Sequence, residues 1–140
     1  MLIDRRKALL FAVLLSPACQ APTDTQVQLA DIVGRYDLIT VRGGALPVVL
    51  PLDGPPRLIL RGDTLWLRQD SSYVEHMARE VIGPAPLVLT GKFVLAGRTI
   101  TLSQTGVGPI VGRFRDSTLA LEGTSESPFT YRRRCTGAVC

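Results

Sequence analysis

From Gly34 onward, apolar and polar side chains take turns at every second position in short runs. Ile100 and Leu102 alternate with Thr99, Thr101 and Ser103; Leu119 and Leu121 with Thr118, Ala120 and Glu122; Phe93 and Leu95 with Lys92, Val94 and Ala96. A period of two places each apolar set on one face of an extended strand, so these runs predict half-buried β-strands. Turn residues punctuate them at intervals of about 8–12 residues, the spacing of an all-β fold. The predicted joints are Arg61-Gly62-Asp63, Gln69-Asp70-Ser71, Ala96-Gly97-Arg98 and Arg115-Asp116-Ser117, short and rich in Gly or Asp as tight hairpins require. Short joints force neighbours in sequence to pair antiparallel. The expectation is one small up-and-down antiparallel barrel of about eight or nine strands over residues 34–134, closed so that no long edge stays open.

Residues 72–82 carry two conflicting signals. Ser72 followed by Glu75 forms a capping box, Tyr73, Met77 and Val81 fall at helical spacing, Glu75 and Arg79 are placed to pair, and Gly83-Pro84 would stop a helix. Strand is still the expectation, because the turn at Gln69 to Ser71 directly follows the strand at Leu65 to Arg68 and a barrel needs its next neighbour there. A helix at this place would be a lid over one mouth.

The chain has 140 residues, 46% of them hydrophobic and 20% charged, which suits one folded domain and excludes a disordered or multi-domain chain. At its front, Asp4 to Lys7 supplies a basic segment and Ala8 to Leu15 an apolar stretch too short to span a bilayer, so residues 1–18 read as a signal peptide. Ser16-Pro17-Ala18-Cys19 resembles the lipobox of bacterial lipoproteins, with Ser16 where an aliphatic residue is usual. The resemblance implies that Cys19 is lipidated, becomes the first mature residue and anchors the protein to a membrane of the bacterial envelope. Removing residues 1–18 takes three of 16 basic and one of 12 acidic side chains, and the net charge falls from +4 to +2. So small an excess predicts no nucleic-acid partner. Cys19 to Gln28 is polar, contains Pro22 and reads as a tether within residues 19–33. With Cys19 carrying lipid, Cys135 and Cys140 remain as a pair in an oxidising compartment, and Gly137 between them permits a tight turn. A disulfide tying residues 135–140 as a tail is therefore expected.

Gly34-Arg35-Tyr36-Asp37-Leu38 with Val41-Arg42-Gly43-Gly44-Ala45-Leu46-Pro47, Gly91-Lys92-Phe93 through Thr101, and Phe129-Thr130-Tyr131-Arg132-Arg133 resemble the small lipocalin-like lipoproteins of bacterial envelopes. That family's pattern runs roughly G-x-Y-x-L-x-x-V-N-G-x-x-L-P and later G-x-Y-x-x-x-G-x-x-I-T-L, and the resemblance covers most of the mature chain. It implies a lipocalin-like barrel closed at its base by a first-strand aromatic, here Tyr36, under an arginine of the last strand, Arg132 or Arg134, in a cation–π contact. Tyr36 stands where true lipocalins carry Trp.

Candidate chemistry is sparse. His76 is the only histidine, with no second metal ligand near it and no nucleophile-elbow serine, so no catalytic residue, metal site or cofactor is expected, and His76 reads as a surface or rim residue. Gly106-Val107-Gly108 with Gly112 lacks the spacing of a phosphate loop and reads as a hairpin or bulged strand. Arg132 to Arg134 alternate between faces, either as a solvated edge with one base-closing arginine or as a site for an anionic headgroup or acidic partner. Trp66 lines the interior with Thr64 and Arg68 or marks a partner surface on the outer wall. The expected function is non-catalytic binding of a small apolar or amphipathic ligand in the mouth of a lipid-anchored barrel. The alternative is a filled barrel serving as a structural or protein-interaction module. A contiguous apolar cavity of about 300 Å³ or more favours the first. No ligand-binding residue and no protein partner is singled out by the sequence.

Overall fold

The computed structural model describes residues 26–50, 58–81, 83–84, 87–123 and 128–135. The expected signal peptide, Cys19, most of the tether and Cys140 lie outside these residues. A short helix α1 (Leu29–Ile32) precedes strands β1 (Gly34–Val41), β2 (Gly44–Ala45), β3 (Val48–Leu50), β4 (Leu58–Leu67), β5 (Ser72–Val81), β6 (Gly83–Pro84), β7 (Leu87–Ala96), β8 (Thr99–Gln104), β9 (Val107–Arg115), β10 (Thr118–Glu122) and β11 (Phe129–Arg133). Eight of them, β4, β5, β7, β8, β9, β10, β11 and β1, pair antiparallel in one circuit, and β1 also pairs with β4. The protein is thus an all-β, up-and-down barrel whose eight strands close in one circuit.

The closing seam runs from Gly34 opposite Leu67 to Asp37 opposite Thr64. Beyond it the two strands part. β1 takes β2 as its neighbour through Thr40 and Ala45, while β4 takes β3 through Leu60 and Val48. The barrel is zipped at one end and splayed at the other.

Residues 72–81 are strand, as expected. Their backbone is held on both sides, by β4 from Ile59 opposite Glu80 to Leu67 opposite Tyr73 and by β7 from Lys92 opposite Ser72 to Leu87 opposite Met77. The capping signal is absorbed by the preceding turn, where Asp70 Oδ1 accepts from the Ser72 amide at 3.0 Å and from the Ser72 hydroxyl. Two full ladders outweigh one local capping preference.

One expected joint is corrected. Arg61-Gly62-Asp63 is not a hairpin tip but lies within β4, where Leu60 faces Arg79 and Gly62 faces Ala78, leaving Arg61 as the extra residue of a bulge. Arg61 points outward and forks onto Glu80, with 2.6 and 2.9 Å bonds. The bulge reverses the phase of the strand. Leu58 and Leu60 are buried before it, and Asp63, Leu65 and Leu67 after it. The joints at 69–71, 96–98 and 115–117 are turns between paired strands, with Ser71, Gly97 and Asp116 at positive φ. Gly106, also at positive φ, turns β8 into β9, and the β8–β9 register shifts between Leu102 and Gln104, so this glycine segment forms a hairpin with an irregular strand.

The zipped half of the barrel is filled. Tyr36, Leu65, Leu67, Tyr73, Phe93, Ile100, Phe114 and Leu119 are all buried there. Close packing needs two bare backbones. A Cβ at Gly91 would strike the Ser103 carbonyl and come within 2.5 Å of the Tyr73 ring, and one at Gly112 within 2.5 Å of Leu121.

α1 stops this end. Ile32 is buried, and three successive carbonyls at the helix C-terminus accept hydrogen bonds from barrel side chains. Tyr36 donates its hydroxyl to Ile32 at 2.8 Å, and Arg133 donates to Asp31 at 2.6 Å and Val33 at 2.7 Å. Orphan helix carbonyls are thereby satisfied without solvent. The arginine that spans the base beside Tyr36 is therefore Arg133, in place of the expected Arg132 or Arg134. Arg133 is opposite Tyr36 in the β1–β11 register and shares a face with buried Tyr131, whereas Arg132 is exposed and Arg134 forks onto Asp37 at 2.7 and 2.8 Å. Among the described residues no helix is long and apolar enough to cross a membrane.

Candidate ligand cavity

The splayed half of the barrel holds a cavity of about 320 Å³. Met77 of β5, Leu87 and Leu89 of β7, Ile110 of β9, Leu121 of β10 and Phe129 of β11 form its walls. Each wall residue falls on the inward phase of its strand, so alternation alone delivers this hydrocarbon lining. Val107, half exposed, stands at the rim with Gln104 and Glu122. At the inner end, Glu75 and Tyr131 meet the cavity, and behind them lies Asp63.

Asp63 is the one buried charged or polar residue of the described core, 4% exposed. The phase reversal at the β4 bulge is what turns it inward. Tyr131 donates its hydroxyl to Asp63 Oδ2 at 2.7 Å, and Glu75 Oε1 lies 3.5 Å from the same hydroxyl. No donor reaches Asp63 Oδ1. Burial, and then the hydrogen bond and charge of Glu75, push the Asp63 carboxyl up to about 9. Two carboxylates cannot both hold charge at such a distance from water, so one proton belongs to the pair at neutral pH. Burial also carries the Tyr131 hydroxyl well above its ordinary range, so it stays protonated and donates. The floor of the cavity is thus an acid pair holding one proton between them and a phenol in hydrogen-bonding contact, beneath walls of hydrocarbon.

Two other hollows, of about 350 and 460 Å³, flank α1 at the opposite end. The first mixes Asp31, Arg98, Asp116 and Arg133 with Tyr36 and Phe114; the second runs along the joint between α1 and β7. They are clefts where the cap meets the barrel, and neither offers a coherent apolar wall.

The residues singled out from sequence are scattered. His76 is exposed on the outer wall of β5, opposite Val88 and Thr64, and no cluster of three or more metal-ligating side chains exists among the described residues. Trp66 is on the outer wall, 44% exposed, with the Arg68 guanidinium 5.1 Å from its ring. Tyr36 and Arg133 sit at the capped end, away from the cavity. Asp63, Glu75 and Tyr131 carry the polar floor, and sequence reasoning did not assemble them. The available signal was the phase slip from even positions Leu58 and Leu60 to odd positions Leu65 and Leu67, which demands an inserted residue between them and turns Asp63 inward. A scan against protein-family models and searches of curated proteins and of solved structures found no match to this chain.

Proposed function

We propose that this protein is a non-catalytic binding barrel, anchored through a lipid on Cys19 in the bacterial envelope, that takes a small amphipathic ligand into the cavity at its splayed end. What supports the reading is one observation: an apolar cavity of about 320 Å³ ending in a small polar floor. Sites for small molecules combine those two features, and this volume falls at the lower end of their range, roughly 300–1,000 Å³. A structural module would gain nothing from leaving such a cavity unfilled, since each void forfeits packing attraction. The lipid anchor and the Cys135–Cys140 disulfide belong to the same proposal and rest on the sequence.

The test is a filled cavity. The neutral apolar fluorophore N-phenyl-1-naphthylamine should brighten with the wild-type protein and lose at least about ten-fold in affinity, roughly 1.4 kcal/mol, when Ile110→Trp or Leu89→Trp occupies the space. Equal binding by wild type and both variants, or no binding by any of them, removes the reading.

A further inference from the structure

We infer that the cavity selects a cationic head group, an aliphatic primary ammonium, which seats on Glu75 and Tyr131 against Asp63 while its chain lies along Met77, Leu89 and Ile110. The inference rests on the binding role proposed above and names the class of ligand. Its grounds are three independent features of the cavity. The charged side chains lining it are Glu75 at the floor and Glu122 at the rim, and no lysine or arginine lines it among the described residues. The interior acid behind the floor, Asp63, is almost wholly buried, and its Oδ1 lacks a donor. The third is the lining itself, because low-polarity walls strengthen whatever charge interaction takes place at their end.

These features discriminate among amphiphiles. A fatty-acid carboxylate would bring a third acidic group against Glu75 and Asp63, where like charges in a desolvated site cost most. An alcohol can donate one hydrogen bond but leaves the floor's negative charge unbalanced. An ammonium brings three donors and the opposite charge, matching the Glu75 carboxylate, the Tyr131 oxygen and the acceptor-rich acid pair.

The experiment compares three eight-carbon probes at pH 7 with the full mature protein, octylammonium, octanol and octanoate, read by calorimetric titration. Octylammonium should bind at least ten-fold more tightly than octanol, and octanoate more weakly than both. Glu75→Gln, which keeps shape and removes the floor's charge, should shrink the ammonium preference several-fold while leaving octanol affinity nearly unchanged, whereas Asp63→Asn, which mimics the neutral acid, should keep the preference. If octanol or octanoate binds as well as octylammonium, or Glu75→Gln keeps the full preference, the cationic selectivity is wrong and the cavity reading stands. If none of the three binds, both fall.

Discussion

Asp63 holds a proton in the fold that it would release when the chain unfolds, and the direction of its effect on stability follows from that. Its carboxyl ionises near 3.8 when solvated and is pushed up to about 9 by burial and by Glu75. Between those limits the folded chain binds this proton and the unfolded one does not, so the contribution of Asp63 to stability is fullest below about pH 4 and declines as pH rises toward 9, by at most about 1.4 kcal/mol per pH unit. Urea midpoints should therefore fall between pH 5.5 and pH 8.5. Asp63→Asn mimics the neutral acid, donating to Glu75 and accepting from Tyr131. It should flatten that pH dependence and be more stable than wild type at pH 8.5 by about 1–3 kcal/mol. Parallel curves for the two proteins would show that Asp63 is ionised in the fold. Asp37 behaves oppositely. The Arg134 fork holds its carboxyl below the usual range, but on the outer wall, where water screens the pair and little stability is at stake.

Strand β7 shows how one element reconciles a tight interior with a regular ladder. Gly91 stands directly opposite Tyr73, whose ring occupies the space a side chain would take. Gly91→Ala should lower stability by about 1–3 kcal/mol, since both the ring and the Ser103 backbone are in the way. Gly62→Ala, at the bulge, meets nothing within 4 Å and should stay within about 0.5 kcal/mol of wild type. Chemical denaturation of the two variants decides the matter, and equal losses would discredit the packing argument. β4 and β5 also mark how far the sequence could be read. Alternation at Phe93 to Ala96, Thr99 to Ser103 and Thr118 to Glu122 exposes those strands and their inward faces, because a half-buried strand repeats every second residue. A bulge breaks that repeat, and Arg61-Gly62-Asp63 has the composition of a turn as well as of a bulge. The polar floor was hidden for a related reason. Asp63, Glu75 and Tyr131 come from three strands, and only the strand register brings them together. The base arginine was a matter of phase: Tyr131 faces inward, so Arg133 does too.

The whole barrel divides its interior by chemistry, with aromatic and aliphatic packing from α1 to mid-height and an apolar cavity at the other end. The zipped β1–β4 seam coincides with the packed half, and the parting of β1 toward β2 and β4 toward β3 coincides with the hollow half. The packed core and the proposed binding site therefore lie at opposite ends. Cys19→Ser should move the protein from the membrane pellet to the soluble fraction of lysed cells without altering ligand affinity; retention in the pellet would refute lipid anchoring at that cysteine. Gln26, the first described residue, borders the hollows beside α1 at the capped end. From Cys19 the chain has seven residues with which to reach it, a span of at most about 25 Å. Were Cys19 lipid-anchored as proposed, so short a connection would tie the capped end, and not the mouth of the cavity, to the bilayer. The proposed ligand would then enter from the aqueous side and not from the lipid beneath.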